Sequence, residues 1–79
     1  MDLGARILAW LRARGMTQKE LASKVGVSPG AVTAWVKGDG HPTVENLDAI
    51  VAALCPHSDL AHSYVEFYGR IPKPKKAAA

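Results

Sequence analysis

Gly26, Val27, Ser28 and Pro29 stand between two short stretches of helical periodicity, and few folds accommodate that arrangement. Gly26 suits the left-handed residue that ends a helix. Ser28 can cap a new helix, and Pro29 falls in its first turn, where a missing N–H costs little. So little chain separates the two helices that they must cross steeply. Upstream, Thr17 can cap a helix whose Glu20 completes a capping box. Leu21, Ala22 and Val25 then lie on one face. Downstream, Val32, Trp35 and Val36 repeat the helical spacing until Gly38 ends the run. Helices this short are unstable alone, so the pair must pack on other elements. Ala22 is small where a steep crossing brings the backbones together.

The flanking chain supplies those elements. Leu3, Ile7, Trp10 and Leu11 predict a helix over residues 3–14 with one buried face, and Gly15 ends it. Arg6, Arg12 and Arg14 lie off that stripe and read as a solvated face, with a phosphate contact as the alternative. Residues 38–42 form a dense turn cluster. Thr43 then caps a helix carrying Val44, Leu47, Ile50, Val51 and Leu54 on its apolar face, with Asn46 where a capping-box acid would stand. Cys55, Pro56 and His57 break the chain. Ser58 is expected to cap a fifth helix, with Asp59 in its first turn and a stripe of Leu60, Tyr64, Phe67 and Tyr68. Leu60 and Tyr64 are expected to close the core, leaving Phe67 and Tyr68 partly open as contacts for a homodimer. Residues 70–79, RIPKPKKAAA, lack any apolar period and are expected to be a disordered basic tail. That tail reads either as an arm following a phosphate backbone or as a solubilising end.

At 79 residues and 8.4 kDa, the chain supports one domain, residues 1–69, ahead of that tail. No apolar run approaches the roughly 18 residues needed to span a bilayer. The opening MDLGARIL lacks the pattern of a secretory signal, and the single cysteine, Cys55, fits a reducing cytoplasm. Charge is unevenly spread. Residues 1–38 hold six Lys/Arg against two acids, residues 39–69 hold five acids and no Lys/Arg, and residues 70–79 add four cations. A polyanion would attract the first half and the tail and repel the middle.

Gln18, Leu21, Ala22, Gly26, Val32 and Trp35 together resemble the helix-turn-helix of the Cro/cI-type (XRE-like) phage and bacterial repressors. Pro42 and the following VENLDAIVAAL are similar to that family's fourth helix. The resemblance spans residues 3 to about 68. It implies an all-α, five-helix, lambda-repressor-like DNA-binding domain whose second and third helices form the motif. It also implies a transcriptional regulator, in all expectation a repressor, bound as a homodimer to an inverted-repeat operator in the bacterial or phage-infected cytoplasm, on the nucleoid. An antitoxin-like or scaffold module that binds protein is the alternative.

Carried over by that resemblance, Gln18 should meet a backbone phosphate and brace the recognition helix. Lys19 and Lys37 flank the same surface and should add sequence-independent attraction. The matching base-reading positions are Ser28, Pro29, Gly30, Thr33 and Ala34, since the start of the second helix of such a motif enters the major groove. Pro29 and Gly30 offer no side-chain donor. Ser28 and Thr33 can hydrogen-bond a base edge, while Pro29, Ala34 and the Thr33 methyl suit thymine methyl groups. Three explanations fit so blunt a reader: deep seating of a slim helix, readout of DNA shape, or a protein partner in place of DNA.

No enzymatic or metal-dependent function is expected. Ser28, Ser58 and Cys55 have no base and acid placed by a motif. His41, His57 and His62 are scattered, and His57 and His62 miss the i, i+4 spacing of paired helical ligands. No glycine-rich phosphate loop occurs, so no cofactor is implied.

Overall fold

A computed structural model describes residues 1–70 and 72, and these form five helices with no strand. They are α1 (Leu3–Arg14), α2 (Gln18–Val25), α3 (Pro29–Lys37), α4 (Val44–Leu54) and α5 (Leu60–Gly69). The expected tail, residues 70–79, lies outside the described residues apart from Arg70 and Pro72.

Local chemistry sets the first four helices. Asp2 caps α1, accepting from the Ala5 N–H at 2.8 Å. At α2 the capping box is closed in both directions: Thr17 Oγ1 accepts from the Glu20 N–H, and Glu20 Oε1 accepts from the Thr17 N–H. Gly26 follows at φ 86°, a left-handed conformation that side chains resist. Ser28 then caps α3, with Pro29 as its first residue. Thr43 caps α4 through the Asn46 N–H at 3.1 Å.

α3 packs against α2 and α1, while α4 packs against α5 and α2. One core results, built from Ile7, Trp10 and Leu11 of α1, Leu21 and Ala22 of α2, Val32 and Trp35 of α3, Ile50, Val51 and Leu54 of α4, then Cys55 and Phe67. Ala22 is buried in this core, and α2 and α3 are in contact.

Three expectations about the later helices need correction. The cap of α5 is Asp59 rather than Ser58. Its carboxylate accepts from the His62 N–H at 2.9 Å and meets His62 Nδ1 at 2.7 Å. Those two contacts, the backbone one foremost, hold Asp59 below the usual carboxylate range. A carboxylate also suits the positive end of the helix dipole better than a hydroxyl does. Val44 is 75% exposed, because it opens α4 one turn beyond the packed segment.

The third correction exchanges two residues of the α5 stripe. Phe67, expected to be partly open, is fully buried, whereas Leu60, expected to close the core, is 40% exposed. The cause is α1. The Phe67 carbonyl belongs to the last turn of α5, where carbonyls lack intrahelical partners. Trp10 Nε1–H and the Arg6 guanidinium both donate to it at 3.0 Å, drawing that turn onto α1. The Phe67 ring stacks on Trp10 with centroids 6.4 Å apart. Tyr64 is half-buried; its hydroxyl donates to Asp48, and burial with that bond pushes its pKa up to about 12.

Arg14 does for α4 what Arg6 does for α5. Its Nε–H donates to the Leu54 carbonyl at 2.7 Å, its guanidinium lies 4.9 Å from the Trp10 ring centroid, and Nη2 reaches Glu66. Glu66 also accepts from His57 and Arg70. The bond from His57 is the main reason that its carboxyl lies below the usual range. Beneath this cluster Cys55 is buried, and burial pushes its thiol up. Arg6 and Arg14 are therefore structural staples rather than a solvated face.

Gly4 fixes how closely α1 approaches α3. A Cβ at this position would lie 2.4 Å from the Trp35 carbonyl oxygen and 2.6 Å from that of Val36. Both are backbone atoms, so no side-chain rotation relieves the clash. Helix propensity alone would make Gly4→Ala stabilising by about 1 kcal/mol. Overpacking costs about 1–3 kcal/mol and, against rigid backbone atoms, should outweigh that gain by about 1–2 kcal/mol, lowering the melting temperature by about 4–16 °C. A melt followed by circular dichroism reads the sign; an unchanged or higher midpoint would mean that α1 is free to move away from α3.

Candidate nucleic-acid interface

The exposed side of the α2–α3 unit gathers most of the residues expected to contact DNA. α2 begins at Gln18, whose side chain is half-buried against α3, with Lys19 exposed beside it. On α3, Ser28, Pro29 and Gly30 are exposed, Thr33 and Ala34 are half-buried one turn later, and Lys37 is exposed at the C-terminal end. The free N–H groups at the start of α2 and α3 add partial positive charge to the same side.

One hydrogen bond joins the two helices across this surface. Thr33 Oγ1 donates to Gln18 Oε1 at 2.9 Å and also lies 3.1 Å from the Pro29 carbonyl oxygen. With Oε1 so engaged, the Gln18 Nε2–H groups retain their donor capacity. Ser28 is bonded differently. Its Oγ accepts from the Ala31 N–H at 3.3 Å as the α3 cap.

The basic side chains divide into two groups. Arg14, Arg70, His57 and His62 pair with carboxylates, and Arg6 is held by carbonyls over the Tyr68 ring. Lys19 and Lys37 have no ion-pair partner among the described residues, nor do Arg12 and Lys24. Charge on α2 and α3 is therefore available to an external anion, while that between α1 and α5 is consumed in the fold. The signal for the two arginines held within the fold was present in the sequence. Arg6, Trp10 and Arg14 recur every fourth residue, which puts both arginines in one row with the buried tryptophan.

The exposed face at the start of α3 is slim. A Cβ at Gly30 would meet only Ser28 Oγ, at the ordinary contact distance of 3.9 Å, so nothing inside the domain demands glycine there. Of the two residues expected to serve a dimer, Phe67 is enclosed as described, while Tyr68 is 47% exposed. Tyr68 shares the outward side of α5 with Val65, 69% exposed, and Leu60. A small cleft of about 220 Å³ lies at the far end of α3, lined by Asp2, Leu3, Gly4, Trp35, Gly38, Gly40 and His41. Among the described residues no helix is long and apolar enough to cross a membrane.

A family model described as helix-turn-helix matches residues 7–54, well over half of the chain, from the middle of α1 to the end of α4. No curated protein and no solved structure gives a match.

Proposed function

The chain belongs to the helix-turn-helix family of DNA-binding domains, of the Cro/cI-like kind, and from that premise we propose that it represses transcription by occupying an operator. The observation that carries this reading is the division of charge. Lys19, Lys24 and Lys37, on α2 and α3, have no ion-pair partner among the described residues, nor does Arg12, whereas Arg6 and Arg14 of α1 are spent on holding α5 and α4. In this reading Gln18, Lys19 and Lys37 hold phosphates, and α3 lies in the major groove with Ser28, Pro29, Gly30, Thr33 and Ala34 toward the bases. A second copy pairs through the outward face of α5, using Leu60, Val65 and Tyr68 in place of Phe67. Pairing supplies affinity that one small module lacks, and it makes the operator an inverted repeat with half-sites about 10 bp apart.

Titrating ¹⁵N-labelled protein with duplex DNA tests the placement. Amide shifts should move over residues 17–19 and 28–37 and stay still around Asp59 and Glu66. Movement centred on α5 alone would put the contact surface elsewhere.

Deep seating of a slim helix yields a prediction with opposite signs for stability and binding. Gly30→Ala has room in the fold and should stabilise it by about 0.4–1 kcal/mol, raising the melting temperature by about 2–6 °C. The same methyl group should hold α3 away from the bases and weaken operator binding. A variant that is more stable and binds as tightly as the parent would remove close backbone approach as the reason for glycine.

A further inference from the structure

Counting hydroxyl protons on α3 shows which kind of base edge each reader can serve. Thr33 has one hydroxyl proton and two nearby protein acceptors, Gln18 Oε1 at 2.9 Å and the Pro29 carbonyl at 3.1 Å. Turning the Gln18 amide over does not release that proton. Nε2–H then donates to Thr33 Oγ1, and the hydroxyl donates to Pro29. In both arrangements the proton stays within the protein, and what Oγ1 has left to offer is a lone pair. Ser28 is the opposite case. Its oxygen is used as the α3 cap, and its proton has no acceptor among the described residues.

We propose that Thr33 reads DNA only as a hydrogen-bond acceptor, and so selects a base that presents an amino group in the major groove. Adenine N6 and cytosine N4 are such groups; guanine and thymine present acceptors on the same edge. The preferred base facing Thr33 is therefore adenine or cytosine on the contacted strand. Guanine or thymine there would set two acceptors against each other, with no proton between them. Gln18 is thereby a positioning residue for readout as well as a phosphate contact, because it holds the Thr33 proton. This inference rests on the DNA-binding reading above and specifies one position of its site.

The test uses the full chain and a duplex selected by it from a randomised library. Each adenine in the selected duplex is replaced in turn by purine, and each cytosine by pyrimidin-2-one; both analogues lack the exocyclic amino group. One such deletion per half-site should weaken binding by the parent about tenfold, the scale of one lost hydrogen bond. Thr33→Val, which keeps the shape and loses the oxygen, should be indifferent to that deletion. Thr33→Ser, which keeps the oxygen, should remain sensitive. If Thr33→Val is as sensitive as the parent at every position, or if the parent tolerates every deletion, the acceptor role is wrong while DNA binding stands. Failure to select any duplex would overturn both.

Discussion

Trp10→Ala should bring the domain to the edge of unfolding. Trp10 is 2% exposed, stacks on Phe67, lies under Arg14 and donates to the Phe67 carbonyl. Truncating a buried tryptophan costs about 3–5 kcal/mol. At roughly 0.05–0.15 kcal/mol per residue, a chain of 79 residues holds only about 4–12 kcal/mol in all. The loss should also free the last turn of α5, since Arg6 alone would remain to hold the Phe67 carbonyl. Trp10→Phe separates the two contributions. It keeps a ring in the core and gives up the indole donor, so it should cost about 1 kcal/mol beyond the change in volume. Urea titrations of both variants provide the comparison. If Trp10→Ala moved the midpoint no further than Trp10→Phe, α5 would be held by something other than this anchor.

Gln18→Ala should leave the fold intact and weaken DNA binding about ten- to a hundredfold, a hydrogen bond to a charged group being worth about 1.5–3 kcal/mol. Gln18 is the first residue of α2, capped by Thr17 whatever side chain follows, so the helix itself does not depend on it. The loss should fall on all duplexes by a similar factor, because a phosphate contact carries no sequence information. A smaller effect should be superimposed on it. With Gln18 gone, the Thr33 hydroxyl has only the Pro29 carbonyl to hold its proton, and discrimination at the Thr33 position should relax. Fluorescence anisotropy with operator and unrelated duplexes reads both effects. A loss confined to the operator would recast Gln18 as a base reader, and an altered melting temperature would recast it as a structural residue.

The parts of this molecule that were legible in its sequence are those set by neighbours in the chain. Thr17 and Glu20, Gly26, and Ser28 with Pro29 act within a few residues of themselves, and the helix ends that they mark are found where their chemistry puts them. Ser58 against Asp59 was a choice between two adjacent capable caps, which local pattern leaves open. The unread features depend on distant partners. Arg6 and the Phe67 carbonyl are 61 residues apart, and Arg14 and the Leu54 carbonyl are 40 apart. Periodicity places Leu60, Tyr64, Phe67 and Tyr68 on one broad stripe. Which part of it meets the core is decided by two donors on α1. Gly4 likewise looks like a poor helix residue until the α3 carbonyls are brought against it. On the exposed side of α2 and α3 the commitment of the Thr33 proton was not legible, because it requires the two helices to be in contact.

The most direct measurement is selection from a randomised duplex library, followed by binding of the winners and of unrelated DNA across a salt series. An operator-binding repressor predicts an enriched inverted repeat, bound far more tightly than unrelated DNA. Its affinity should fall steeply with salt, as release of phosphate counterions requires. Weak binding that is equally salt-sensitive on every duplex, with no enriched sequence, would contradict operator recognition.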